Sequence, residues 1–417
     1  MQKTTVKVNN YNIHFIKTNK FKTINIRVMF YDELKKVDIT KRNFLLDMLV
    51  HSTKQYPTKR ELNIRCQELY SLSLSSSNFR IGNYLIAKVE TSFLNPEYTD
   101  NTMLEESINL LYDVIFNPNI TNNAFDNEAF KQIKDNLKSE IETVKEQPRI
   151  YAGSRLLEIM DDGPYAYHSY CYMDDLKDLT PTNLYSFYKE FLLNNKVEIF
   201  VVGDIDIKKI TKLIANRFFF NNQNNVNKSL FYKHHSFKEK VYETTEKGNY
   251  NQAKVAASVK LKDLTEFETK YVSVIYNLLL GGTTESLLVK NIRENSSLAY
   301  YAYSLLNKAD NLIVINCGID EKNYQQVYNL INKSLNDVLE GNFSLEDINK
   351  CIMEYISSLK IAYETPAGVL DLMLAEILYN VDDIKTKMAK IKTVTKEDVM
   401  NFSKKTTLDT VFMLKGE

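Results

Sequence analysis

Apolar and polar positions alternate from the beginning of the chain. Thr4–Val8, Tyr11–Ile16 and Thr23–Phe30 each carry the two-residue period of a strand, with Asn9-Asn10 as the turn between the first two. After Thr40 the period becomes helical, which predicts a helix over 41–56 ended by Pro57. Thr58-x-x-Glu61 is a capping box for a second helix running to Tyr70. Alternation returns over Ser71–Ser77 and Tyr84–Phe93, around a bend at Gly82. Helical spacing follows over 98–116 and 124–146, then a break at Pro148 and a further helix to Met160. Asp161-Asp162-Gly163-Pro164 is a turn. Thr180-Pro181 supplies an N-cap and an N1 proline for a helix that leads into the strand Val197–Val202, ending at Gly203.

The polar run 221–227 has no face to bury, and the aperiodic stretch continues to Lys238, so 221–240 is expected to be a linker. Beyond it the same order of elements returns. The strand Ala253–Val259 precedes a capping box, Thr265-x-x-Glu268, and a helix to Leu280, as Thr23–Phe30 precedes the helix after Thr40. Phe44–Ser52 lines up with Val274–Gly282. Thr180 matches Thr395, each opening a helix before a last strand, Val197–Gly203 or Thr410–Gly416. The expected fold is α+β: two homologous α/β-sandwich domains, 1–220 and 241–417, arising by duplication and joined by the linker. Two such domains are expected to close like a clam around an internal cleft, a common setting for ligands.

Composition narrows the function classes. Lysine plus arginine equals aspartate plus glutamate at 53 each, so no global field draws the chain to nucleic acid. No apolar run is long enough for a transmembrane segment, and the N-terminus lacks an apolar signal core. Cys66, Cys171, Cys317 and Cys351 are widely separated, which fits reduced thiols rather than disulfides or a thiolate metal site. These features predict a soluble, cytoplasmic protein.

The richest local grammar runs from Leu278 to Ser304. An apolar helix end breaks at Gly281-Gly282, a short helix restarts at Thr284, and Ser296-Ser297 leads into an aromatic, strand-like run. Arg293 and Tyr300 flank that break. A guanidinium offers a rigid fork of donors and a phenol offers one more, a set suited to a peptide carbonyl or a developing oxyanion. The spacing alone also suits an arginine at a helix C-terminus and a tyrosine in a sheet, because nine arginines and 27 tyrosines make one Arg-x6-Tyr pair unsurprising.

Gly281-Gly282, Leu287 and Arg293-Glu294-x-x-x-Leu298-Ala299-Tyr300 together resemble the C-terminal-half motif of the insulinase (pitrilysin) family of metallopeptidases, in the small two-domain branch related to mitochondrial processing peptidase. The duplicated halves, the linker, Pro118, Tyr165 and Thr180-Pro181 extend the resemblance along the whole chain. It implies two halves enclosing a chamber, zinc held in one half, and an Arg/Tyr pair from a C-terminal half that holds substrate and stabilises the tetrahedral intermediate. That pair carries over onto Arg293 and Tyr300.

The family's His-x-x-Glu-His motif falls on Asn43-Phe44-Leu45-Leu46-Asp47, and its third ligand on Glu140. Asn43 is a poor ligand, and Leu46, at the general-base position, moves no proton. Asp47 and Glu140 leave two carboxylates and no imidazole, so no metal is expected in this chain. His14, His51, His168, His234 and His235 form no i,i+4 pair of ligands. There is no glycine-rich phosphate loop and no Gly-x-Ser-x-Gly elbow.

The resemblance therefore implies the zinc-less, non-catalytic subunit of a heterodimeric bacterial peptidase, inactive alone. A homologous partner would hold the zinc, and small unfolded peptides would be the substrates. Two other readings stay open: a scaffold or assembly subunit without a part in catalysis, and a stand-alone peptide-binding protein.

Overall fold

The hairpin expected at the N-terminus is present. In the computed structural model, which describes residues 1–160, 163, 166–220 and 229–416, β1 (Gln2–Val8) pairs antiparallel with β2 (Tyr11–Lys17). Asn9 turns the chain at φ 49°, a left-handed conformation that asparagine tolerates. β3 (Thr23–Glu33), β4 (Ser73–Ile81) and β5 (Tyr84–Leu94) follow, with Gly82 at φ 54° between the last two. β6 (Ile120–Thr121) and β7 (Ala124–Phe125) make a small separate hairpin, and β8 (Lys196–Gly203) enters the main sheet. Its order is β1-β2-β8-β3-β5-β4.

The second sheet contains β9 (Tyr242–Gly248), β10 (Ala253–Leu261), β11 (Ala299–Asn307), β12 (Leu312–Ile319) and β13 (Thr406–Gly416), in the order β11-β12-β10-β13-β9. Read from β9, it repeats β2-β8-β3-β5-β4 strand for strand. The one parallel pairing also recurs in place, β2 with β8 and β9 with β13. The duplication inferred from the order of elements is thus reproduced in pairing as well as in sequence.

Four central strands are buried along nearly their whole length: β3, β8, β10 and β12. Burial on both faces requires a layer on each side. In the second sheet, Ala257, Val259 and Val411 face a core shared with the helices that follow β10 and β12. Ala256, Val314 and Phe412, of opposite parity, pack with Ala152, Leu156 and Met160 of the Pro148–Met160 helix.

That covering helix decides how the chain divides. One compact unit is Met1–Glu142, Ser169–Lys228 and Glu364–Asp371; the other is Thr143–His168, Ser229–Tyr363 and Leu372–Glu417. Segment 143–168, expected within 1–220, packs in the second unit, and segment 364–371, expected within 241–417, packs in the first. There Arg27 on β3 reaches Asp371 at 2.6 Å and also pairs with Glu90, while Lys20 pairs with Glu364 at 2.6 Å.

Several boundaries differ from expectation. The first long helix is Lys36–Leu49 rather than 41–56. Its end is set by tertiary pairing: Thr53 bridges to Pro118, and its N–H is taken by the Tyr56 carbonyl at 2.9 Å. The capping box at Thr58 forms as predicted, Thr180 and Thr395 open their helices as expected and do so through capping boxes of their own, and Thr265 and Glu268 exchange backbone and side-chain hydrogen bonds at 2.7 and 3.2 Å. Tyr165 and the turn residues Asp161, Asp162 and Pro164 lie outside the described residues, as does 221–228 of the expected linker. The rest of that stretch is fastened to the second unit: Tyr232 N–H donates to Ala309 O at 2.7 Å, and Asn311 donates to Tyr232 O at 2.8 Å. No helix among the described residues is long and apolar enough to cross a membrane.

β13 contains a bulge opposite Ser258/Val259 that leaves Asp409 without a cross-strand partner. Its fully buried side chain lies 3.1 Å from the equally buried Lys260 ammonium and accepts from Thr410 at 2.8 Å. Burial opposes ionisation of Asp409, but hydrogen bonds from Thr410 and Lys260 outweigh it and hold the carboxyl below its usual range. A depressed carboxyl stabilises above its unfolded pKa, and that contribution fades as pH falls through the folded value. Asp409→Ala strands a buried ammonium and is expected to lower the unfolding free energy in urea by about 3–5 kcal/mol at neutral pH. A loss under about 1 kcal/mol would mean that the pair is not a determinant of the unit.

Candidate functional site

The positions matching a metal motif lie on the Lys36–Leu49 helix, with Glu140 on the Asn127–Glu146 helix. Asn43 and Asp47, four apart, share one face of the first helix. Asn43 spends its amide on structure, donating to Ile39 O at 2.9 Å and to Ser169 O at 3.0 Å. Leu46 is 2% exposed and belongs to the hydrophobic core. Asp47 is half-buried, and its carboxyl is pushed up to about 7, first by burial and then by the Glu140 carboxylate, against a smaller pull from Lys59.

Cys171, which the sequence offered only as one of several scattered thiols, also feels this pair. Burial raises its pKa most, and the charges of Asp47, Glu140 and Asp175 raise it further. All four cysteines are free. Thr40 connects the Asp175 side of the site: its hydroxyl donates to Asp175 at 2.9 Å and accepts from Tyr172 N–H at 3.0 Å.

These groups do not fit zinc. A carboxyl driven towards its protonated form, a primary amide committed to carbonyls and a leucine at the base position provide neither the ligands nor the proton acceptor of a catalytic site. Among the described residues no group of three or more His, Cys, Asp or Glu is placed to hold a metal ion. The histidines are dispersed. His14 lies 2.9 Å from Glu198 inside the first sheet, His51 is half-buried with its pKa lowered by burial, and His234 lies 3.2 Å from the Asn311 carbonyl.

The Arg293/Tyr300 stretch is built differently from its sequence expectation in one respect. The helical turns of Leu278–Gly282 end at the glycine pair as expected, without a left-handed φ. A Cβ on Gly281 would come within 2.6 Å of the Ser304 backbone nitrogen and 2.7 Å of Leu288, so the glycine permits the helix end to lie against β11. Helical turns resume at Leu287 and continue through Val289–Glu294, later than Thr284. They stop where Ser297 adopts φ 52°, with Ser297 N–H donating to Arg293 O at 3.1 Å and Leu298 N–H to Ile292 O at 3.0 Å.

Tyr300 occupies a β-bulge. Ala299 pairs with Ile319 and Tyr301 with the adjacent Gly318, leaving Tyr300 as the extra residue on an edge strand. Bulges re-aim a side chain out of the regular alternation. Tyr300 is 59% exposed, Arg293 is also exposed, and neither side chain makes a hydrogen bond or ion pair among the described residues. Both are therefore available donors on the second unit, whereas Asn43 and Leu46 are consumed by the fold of the first.

Comparison with known proteins gives a consistent answer. A family profile described as peptidase M16 inactive domain matches residues 178–355. The chain is 29% identical over 408 residues to a Bacillus subtilis (strain 168) protein named probable inactive metalloprotease YmfF, covering 97% of this chain and 95% of that one. It is similar in structure to a conserved protein from Enterococcus faecalis V583, with a TM-score of 0.92, 26% identity, and 100% and 99% of the two chains covered. A peptidase M16 inactive domain from Pseudomonas fluorescens shares the fold, with a TM-score of 0.81 at 14% identity over 100% and 98% of the chains.

The raised pKa of Asp47 has a signed consequence. In the unfolded chain an aspartate ionises near its ordinary value of about 4, whereas the folded carboxyl waits until about 7. Between those values the unfolded state sheds the proton first, so rising pH costs stability. Asp47→Asn is expected to gain on the parent protein from pH 4 to pH 7 and to hold that advantage above. Melting temperatures across this range test it; parallel curves for the two proteins would refute the burial of Asp47 beside Glu140.

Proposed function

We propose that this chain is an inactive member of the peptidase M16 (insulinase) family, the non-catalytic subunit of a two-chain zinc peptidase, and that it lends Arg293 and Tyr300 to a homologous partner. The observation that carries this reading is an asymmetry of use. The metal positions Asn43 and Leu46 are absorbed into packing and backbone hydrogen bonds, while the donor pair is exposed and uncommitted.

In this arrangement the partner provides the zinc, the activated water and the general base. This chain's contribution is to bind and orient. The Arg293 guanidinium holds a peptide carbonyl through two parallel N–H groups, and the Tyr300 phenol donates to the oxygen that becomes negative as the carbonyl carbon turns tetrahedral. The substrates are small unfolded peptides, since both donors recognise main-chain oxygen rather than a particular side chain. The four free cysteines suit the reducing cytoplasm in which we place the complex.

The test is peptide hydrolysis by the reconstituted pair. Removing one preorganised donor typically costs about 3 kcal/mol, or about a hundredfold in rate. Arg293→Ala and Tyr300→Phe are each expected to depress kcat/KM on that scale, with metal content and complex size by gel filtration unaltered. Full activity in both variants within an intact complex would remove the donor role and leave a scaffold subunit.

A further inference from the structure

The second unit contains a cavity of about 550 Å3 whose lining includes neither Arg293 nor Tyr300 nor any metal-motif position. Its walls come from the end of β10, the helix opened by Thr265, the turn between β11 and β12, the stretch after Ser229, and Tyr379–Val381. The volume falls in the range of small-molecule sites.

Two properties of the lining point to one class of ligand. The first is aromatic: Phe231 and Tyr379 meet edge to face with centroids 5.8 Å apart, and Phe237 carries the Lys262 ammonium over its ring at 5.5 Å. The second is charge. Four lysines line the cavity against two carboxylates, and one of those, Glu266, is already paired with Lys270.

Lys308 is the most telling of the four. Its ammonium donates to the Lys270 carbonyl at 3.1 Å and, among the described residues, to no carboxylate. An ammonium has three N–H groups to place. The charge that acts on it is another lysine, Lys387, and burial first and this neighbour second lower its pKa to about 8. A half-buried cation facing a like charge is an electrostatic cost that a bound anion would remove.

We propose that this cavity binds a small planar anion, an aromatic acid or aromatic phosphate ester, with its ring among Phe231, Phe237 and Tyr379 and its charge met by Lys308 and Lys262. The site does not depend on the peptidase reading and stands or falls separately from it.

Calorimetric titration of the whole chain with 1-naphthyl phosphate tests it, with 1-naphthol and inorganic phosphate as the ring-only and anion-only probes. Saturable one-to-one binding is expected, at least about tenfold tighter than either partial probe. Lys308→Met and Lys262→Met should each weaken it about tenfold, with melting temperatures reported alongside. If Lys308→Met fails to fold, Lys262→Met, at an exposed position, decides the matter. No saturation up to millimolar probe, equal binding of 1-naphthol, or parent-like binding in the folded variants would overturn the proposal.

Discussion

The constraint on which the rest of the structure depends is that each central sheet buries both of its faces. A strand such as β10, buried at every position from Ala253 to Leu261, cannot be satisfied by one layer of helices. The helices that follow the strands in sequence cover one face. In the second unit the other is covered by a segment from the opposite half of the chain, 143–168, and the first unit likewise draws in 364–371, which meets Lys20 and Arg27 through Glu364 and Asp371. Proline opens the helix in both cases, at Pro148 and Pro366. The polar residues caught beneath these covers must then be paired, which explains the ionic contacts of Arg27 with Glu90 and Asp371 on a strand position that alternation alone would assign to solvent.

Much of this was legible in the sequence, because the signals involved are local. Hairpin turns, capping boxes and strand periods are read from neighbours within four residues, and some recur at matching places in both halves, as the boxes at Thr180 and Thr395 do. What was not legible depends on partners far along the chain. The Lys36–Leu49 helix ends early because Thr53 is claimed by Pro118. The covering segments look like ordinary amphipathic helices, and nothing in their own pattern says which sheet they will lie on. The bulge at Tyr300 is a property of register with β12, set by where Ala299 and Tyr301 find Ile319 and Gly318.

The candidate site shows the same division. Arg293 and Tyr300 drew notice through their setting and a family resemblance, not through spacing, and their exposure was beyond reach of the pattern. That Leu46 moves no proton was plain from residue type alone. What its neighbours do instead was not: Asn43 clamps the Ser169 carbonyl, and Asp47 is a carboxyl crowded by Glu140. These positions are ordinary structure, and a single substitution would not build a metal site among neighbours committed to packing and to backbone hydrogen bonds.

The exchange of covering segments bears on how the protein is made. During synthesis the first sheet emerges early, yet residues 364–371, which pack in the same unit, leave the ribosome long after its last strand, β8. Until then Lys20 and Arg27 are without the carboxylates of Glu364 and Asp371. Cutting the polypeptide in the stretch between the halves would therefore not release two self-sufficient units; each fragment would lack a segment that its own unit takes from the other half.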